Sequence, residues 1–257
     1  MNEPFKDKVV LITGGTMGIG LATGLAFGRE GARCTLTYRW GSADEDEVRA
    51  QFASVGAPAP FIFQADVANE EDTAALFAAL RERHRRIDIF ISNVAAATPI
   101  RKFEEYEKRS LDWSIAASVW PMFGYLHRMR ETFGSYPRYV VGLSSAGAEQ
   151  LGPNYDFVAG CKSLLETLAR YAAYRLAGVN VNIVRGGAVL TESLRALVGR
   201  EFESFLEEHG SRRSLMEPEE LARVICALCS GLLDGVNGQV LTVDRGMGFS
   251  QAAPAHP

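Results

Sequence analysis

The sequence is poor in cysteine: four in 257 residues, at Cys34, Cys161, Cys226 and Cys229. Their scatter argues against a disulfide framework and fits a reducing, cytoplasmic setting. Cys226 and Cys229 form a C-x-x-C, but it lies inside the apolar-faced stretch ELARVICALCSGLL, and no second ligand pair follows at metal spacing. A structural zinc site needs four ligands, so two core thiols are expected and no metal. Charge of one sign is also scarce. The net formal charge of −4 gives no sign of a nucleic-acid or membrane-surface partner. The basic run Arg81 to Arg86 is local and reads as a solvated helix end. Apolar runs stay short of the roughly 18 residues a membrane span needs. The polar start MNEPFKDK carries no apolar signal region. Repeats, low-complexity segments and linkers are also missing, so one α/β domain with a sizeable core is expected over residues 1–257.

What is present is alternation. Short runs rich in Val, Ile, Phe and Thr lie at 9–13, 33–38, 60–64, 87–92, 138–144, 179–184 and 239–243. Several are apolar nearly throughout, as strands buried on both faces of a parallel sheet are. Helical patterns fill the gaps, for example 18–30, 69–84, 103–132, 156–177 and 217–232. This predicts an α/β, Rossmann-type, doubly wound sheet of about seven strands with helices on both faces. The tail SQAAPAHP is expected to be poorly ordered.

Directly after the first strand comes Gly14-Gly15-Thr16-Met17-Gly18-Ile19-Gly20. Glycines at 14, 18 and 20, between a strand and a helix, allow a tight turn and a close approach of a pyrophosphate to the helix N-terminus. The end of the second strand discriminates between cofactors. A carboxylate there would bind the adenosine ribose hydroxyls, and an arginine would pair with a 2′-phosphate. The sequence has Tyr38-Arg39 and no carboxylate until Asp44. Arg39, with Ser42, therefore points to NADPH rather than NADH.

These features, with Asp66-Val67 after the third strand and Ser92-Asn93-Val94-Ala95 after the fourth, make the chain resemble the short-chain dehydrogenase/reductase family over nearly its whole length. The resemblance implies that Thr16, Met17 and Ile19 join the glycines around the cofactor. It also implies that Asp66 and Val67 meet the adenine and that Asn93 supports the nicotinamide end. After the sixth strand, VRGGAVLTES replaces the family's usual P-G-x-x-x-T. Gly186, Gly187 and Val189 are expected near the nicotinamide. Thr191 either reaches the diphosphate or caps a helix. Residues 192–216 match the substrate lid, whose Phe202, Phe205 and Leu206 line an acyl channel or form an ordinary amphipathic face.

The usual family motif is Y-x-x-x-K. Four residues before Lys162 stands Val158, which carries no proton. Ser145, seventeen residues before the lysine, is where the family has its serine, and the nearby phenol is Tyr155, giving Y-x6-K. On a helix, a spacing of seven leaves two side chains about 20° apart, one turn further along than a spacing of four. A phenol displaced in that way suits conjugate reduction of an α,β-unsaturated thioester, where hydride adds at Cβ and charge develops on the thioester oxygen. Y-x6-K in this frame resembles the enoyl-acyl-carrier-protein reductase branch, in its NADPH-dependent form. By that resemblance Tyr155 donates to the enolate oxygen, Lys162 holds the nicotinamide ribose and also favours ionisation of the phenol, and the chemistry belongs to fatty-acid or polyketide assembly. Ser145 either binds the substrate carbonyl or caps the strand end. Ser118 stands where the family usually has an asparagine. A homotetramer using 103–132 and 156–177 is also implied. Two alternatives stay open: a carbonyl or 3-oxoacyl thioester reductase with Tyr155 and Ser145 as donors, and a catalytically silent NADP(H)-binding regulator.

Overall fold

The computed structural model describes residues 4–39, 44–152, 154–189, 191 and 215–250. Seven strands, β1 (Val9–Ile12), β2 (Arg33–Tyr38), β3 (Phe61–Gln64), β4 (Ile89–Ser92), β5 (Tyr139–Ser145), β6 (Asn180–Gly186) and β7 (Val240–Val243), form one sheet in the order β3-β2-β1-β4-β5-β6-β7. Every pairing is parallel. The helices are α1 (Gly18–Arg29), α2 (Glu45–Ser54), α3 (Glu70–Arg83), α4 (Lys108–Ser118), α5 (Trp120–Phe133), α6 (Asp156–Arg175), α7 (Pro218–Cys229) and the short α8 (Met247–Ser250).

Strand side chains alternate between the sheet's two faces, and both faces are covered. Val10 and Ile12 of β1, Leu36 of β2, Ile89 and Ile91 of β4 and Val184 of β6 pack with Phe27, Phe52, Leu221 and Ile225 from α1, α2 and α7. Val9, Leu11, Phe90, Val140, Val181 and Ile183 pack on the other face, with Leu76, Met122, Leu126 and Leu165 from α3, α5 and α6. That is why β1 is apolar at every position and β4 at all but its last, Ser92. Cys34, Cys161, Cys226 and Cys229 are buried free thiols, as core cysteines are. Burial pushes the Cys34 thiol up to about 12, so it is inert as a nucleophile.

Local chemistry sets the helix starts. The Asp44 side chain accepts from Asp46 N and Glu47 N ahead of α2. Asn69 does the same for Glu71 N and Asp72 N ahead of α3, and Glu217 with Glu220 forms a capping box at α7.

One expectation needs correction. The stretch 103–132 is not a single helix. It divides into a 3-10 turn at Phe103–Glu105, then α4 and α5, with the break at Val119-Trp120-Pro121. Proline disfavours helical backbone at the residue before it and has no N–H to give an earlier carbonyl, so it sits at the start of α5 instead. The chain end from 251 onward and most of the expected lid, with Phe202, Phe205 and Leu206, lie outside the described residues.

Candidate active site

The order of the sheet reverses between β1 and β4, and the crevice beyond the C-terminal ends of these strands is where such a sheet binds ligands. The loop 13–18 enters it from β1. Gly14 and Gly18 have φ of +61° and +52°, which L side chains rarely adopt. A Cβ on Gly20 would lie 2.1 Å from Gly14 O, so α1 meets the loop backbone at a distance open to glycine alone. Met17, the N-cap of α1, makes no side-chain cap, and the first turn holds no acidic residue. Among the described residues, then, no side-chain cap or acidic first-turn residue compensates the first amides and the positive end of the helix dipole, which suits a diphosphate. On this evidence of backbone and charge, the residues fit a nicotinamide dinucleotide.

Asn93 braces the loop. Its Nδ2 donates to Thr13 O and Gly14 O, both at 3.0 Å, while its backbone N donates to Thr13 Oγ1 at 3.0 Å. Thr16 is buried and Ile19 packs onto the core. Thr191 comes to the same loop: a Cβ on Gly18 would meet its Cγ2 at 3.3 Å. The clearances at Gly186 and Gly187 are taken up within the chain. A Cβ there would lie 2.7 Å from Leu221 Cδ2 and 3.1 Å from Asp244 Cα, respectively. Val189 is buried and bridges Met216.

At the ends of β2 and β3, Arg39 Nε lies 2.9 Å from Asp66 Oδ2. Two residues assigned from sequence to the adenosine end thus meet each other. Val67 beside them is buried, and Ser42 lies outside the described residues. Asp44, the first carboxylate after β2, is engaged in capping α2. Glu45 accepts from Tyr38 Oη at 2.9 Å and pairs with Arg49.

Tyr155 is the N-cap of α6, with φ −100° and ψ 5°, so the helix begins directly after the phenol. Tyr155 Oη and Ser145 Oγ are 2.9 Å apart. Ser145 makes no side-chain cap to the 3-10 turn that follows β5 (Ala146–Ala148), so its hydroxyl serves the phenol rather than the strand end. Burial pushes the Tyr155 phenol up, and the Ser145 bond works against that rise. Lys162 is buried, with Nζ donating to Leu143 O at 2.7 Å. Burial lowers its ammonium to about 8, while Cys161 and Glu166 pull slightly the other way. Among the described residues no hydrogen bond joins Lys162 to Tyr155: the phenol's partner is Ser145 and the ammonium's is Leu143 O. Val158, the position left without a phenol, is 5% exposed. Ser118 is buried, with Oγ donating to Ala96 O at 2.7 Å and accepting from Ala96 N at 2.9 Å.

A second layer escaped the sequence reading. Arg185 on β6 makes a two-pronged bond to Glu166 on α6, Nε to Oε1 at 2.9 Å and Nη2 to Oε2 at 2.6 Å. Its Nη1 reaches Glu149 Oε2 at 2.6 Å, and Ser144 Oγ donates to Glu166 Oε1 at 2.6 Å. Burial pushes the Glu166 carboxyl up, but Arg185 and Ser144 outweigh it and the net shift is downward. The available signal was a single charge in each of two largely apolar stretches, VNIVRGG and SLLETL.

Comparison with known proteins gives the family. The model of the enoyl-(acyl carrier protein) reductase family matches residues 14–248. A 1-cyclohexenylcarbonyl-CoA reductase of Streptomyces collinus is 30% identical over 259 residues, covering 96% of this chain and 91% of the relative. An enoyl-acyl-carrier-protein reductase (NADH) of Aquifex aeolicus (strain VF5), FabI, is 27% identical over 252 residues, covering 94% and 91%. The crystal structure of the Aquifex aeolicus VF5 reductase superimposes with a TM-score of 0.80 at 25% identity, over 95% of this chain and 97% of that one. A 7alpha-hydroxysteroid dehydrogenase of Escherichia coli (strain K12) is 25% identical over 254 residues, covering 95% and 96%. The chain is thus an oxidoreductase of the short-chain dehydrogenase/reductase family and belongs to its enoyl-acyl-carrier-protein-reductase-like group.

Proposed function

We propose that this protein reduces the C2–C3 double bond of an enoyl thioester, carried on acyl carrier protein or coenzyme A, using NADPH. The observation that carries the reading is the arrangement of Tyr155, Ser145 and Lys162. The phenol stands at the head of α6, seven residues before a buried lysine, with the four-residue position held by buried Val158.

NADPH, when bound, would supply the hydride taken up at Cβ of the thioester. Tyr155 Oη donates to the thioester oxygen and is worth most as charge gathers there. Ser145 keeps the phenol oriented, and burial keeps it protonated at neutral pH. The proton at Cα comes from solvent. Lys162, still largely protonated at pH 7, holds the nicotinamide ribose hydroxyls. The uncapped start of α1, with Gly14, Thr16, Met17, Gly18, Ile19 and Gly20, receives the diphosphate, and Thr191 reaches it from the opposite wall. Asp66 and Val67 receive the adenine, and Arg39 the 2′-phosphate. Asn93, Gly187 and Val189 border the nicotinamide. The NADPH assignment rests on Arg39 at the end of β2 and on the engagement of Asp44 elsewhere.

A homotetramer belongs to the same proposal. Trp113 and Trp120 on the α4–α5 arm, and Leu168, Tyr171 and Tyr174 on α6, are large apolar side chains left exposed. Carbonyl reduction is the second reading, because Tyr155 and Ser145 lie close enough to share one carbonyl oxygen. NADPH oxidation with crotonyl and acetoacetyl thioesters separates the two. We expect turnover with the first, and a fall in kcat of about 10²–10³-fold in Tyr155→Phe with NADPH affinity hardly changed. Turnover with acetoacetyl thioester alone supports the second reading. Full enoyl activity in Tyr155→Phe refutes the assignment of the phenol.

A further inference from the structure

Resting on the role of Tyr155 proposed above, we infer that the turn 146–149 is a positioning device for its phenol, with Gly147 as the seat of the ring and the Arg185–Glu149 pair as the clamp. A Cβ on Gly147 would lie 2.5 Å from both Cδ1 and Cε1 of Tyr155, and one on Gly152 would lie 3.1 Å from Tyr155 Cβ. Neither glycine is among those at positive φ, so the backbone does not demand glycine at either place. The ring does. Its edge lies directly on the Gly147 backbone, and this contact aims the hydroxyl at Ser145 Oγ.

A seat has to be rigid to aim anything. Two attachments hold this one. Ser163 Oγ on α6 donates to Ala148 O at 2.9 Å. Arg185 Nη1 grips Glu149 at 2.6 Å. Arg185 cannot swing, because its other nitrogens are committed to Glu166, which also accepts from Ser144. The Arg185 side chain is 9% exposed and Glu149 68%, so the anchor is buried and only the clamped end is wet. The turn is thereby referenced at once to β6 and to α6, the helix that carries the phenol at its head and the lysine within it.

The test uses four full-length proteins, each checked for folding by circular dichroism and thermal unfolding: wild type, Gly147→Ala, Tyr155→Phe and the double variant. A misplacement of about 1 Å in a reacting group can cost on the order of 10²-fold. Gly147→Ala is therefore expected to lower kcat on crotonyl thioester about 10- to 100-fold, with NADPH Kd unaltered. In the Tyr155→Phe background the same change should have almost no further effect on kcat, since no hydroxyl remains to be misplaced. A second readout needs neither cofactor nor turnover. With 3-fluorotyrosine placed at position 155, the fluorine resonance should shift in Gly147→Ala. In Glu149→Ala, where only an exposed carboxylate is lost, it should broaden. Arg185→Met would strand buried Glu166 and is avoided for that reason. Wild-type kcat in Gly147→Ala alongside an impaired Tyr155→Phe overturns the seat while leaving the proposed function intact. Equal losses in both backgrounds overturn it too, because the effect would not pass through the hydroxyl. An unchanged fluorine signal in Glu149→Ala overturns the clamp. Full activity in Tyr155→Phe is the separate failure of the reading beneath.

Discussion

Lys162 permits a test in which pH is the only variable. Its Nζ is buried against Leu143 O, and burial brings its pKa from the ordinary 10.5 to about 8. At pH 7 about ten molecules in eleven then carry the ammonium, and at pH 9 about one in eleven. If the ammonium is what holds the nicotinamide ribose, the Kd for NADPH should rise about tenfold between pH 7 and 9, with its midpoint near the pKa of the free protein. Fluorescence titration with NADPH, without substrate, measures this directly. Lys162→Met should bind weakly at every pH and show a flat profile. The same burial fixes the sign of a stability effect. The folded pKa lies below the unfolded one, so between about 8 and 10.5 the unfolded chain keeps a proton that the folded chain has released. Raising the pH through that window therefore stabilises wild type relative to Lys162→Met, by about 3 kcal/mol in all. Denaturant unfolding at a series of pH values gives the difference. An NADPH affinity that stays level from pH 7 to 9 would rule out the ammonium as the ribose holder, and a relative stability that falls across the window would rule out a pKa lowered by burial.

Arg39→Ala should raise the KM for NADPH about 10- to 150-fold, the value of a lost charge-assisted contact, and leave that for NADH almost unchanged; equal effects on the two cofactors would end the 2′-phosphate assignment. Gly20→Ala forces a Cβ to within 2.1 Å of Gly14 O, so it should cost about 1–3 kcal/mol of stability and weaken NADPH binding. Thermal unfolding and a binding titration measure both, and wild-type values in each would contradict the close approach of α1 to its loop. Val158→Tyr restores Y-x-x-x-K beside Ser145 at a site only 5% exposed. It should gain some ketone reduction, lose enoyl reduction and cost about 1–3 kcal/mol through overpacking. Undiminished enoyl turnover with no new activity would show that position 158 faces away from the substrate.

Whatever depends on a residue and its near neighbours could be read along the chain. Strand runs at 9–13 and 87–92 could be recognised because each residue needs an apolar partner on whichever face it meets, and β1 and β4 have both faces covered. The glycine loop was equally plain, since Gly14 and Gly18 answer a purely local demand for positive φ. Tyr155 and Lys162 could be paired from their spacing alone, because one helix carries the count between them. The break at Val119–Pro121 was written in the sequence too, but apolar periodicity runs across it and masked the local effect of the proline. Which polar groups meet was set by the folded arrangement alone. Asn93 reaches the loop 13–14, Arg39 meets Asp66, and Ser145 turns to the phenol instead of capping its strand. Arg185, Glu166 and Glu149 come from a strand, a helix and a turn that meet only because β6 lies beside β5 with α6 packed over them. Such contacts depend on strand order and on how deeply a charge is buried. Neither is a property of any short stretch of chain, because each is set by how the whole sheet shares its two covered faces.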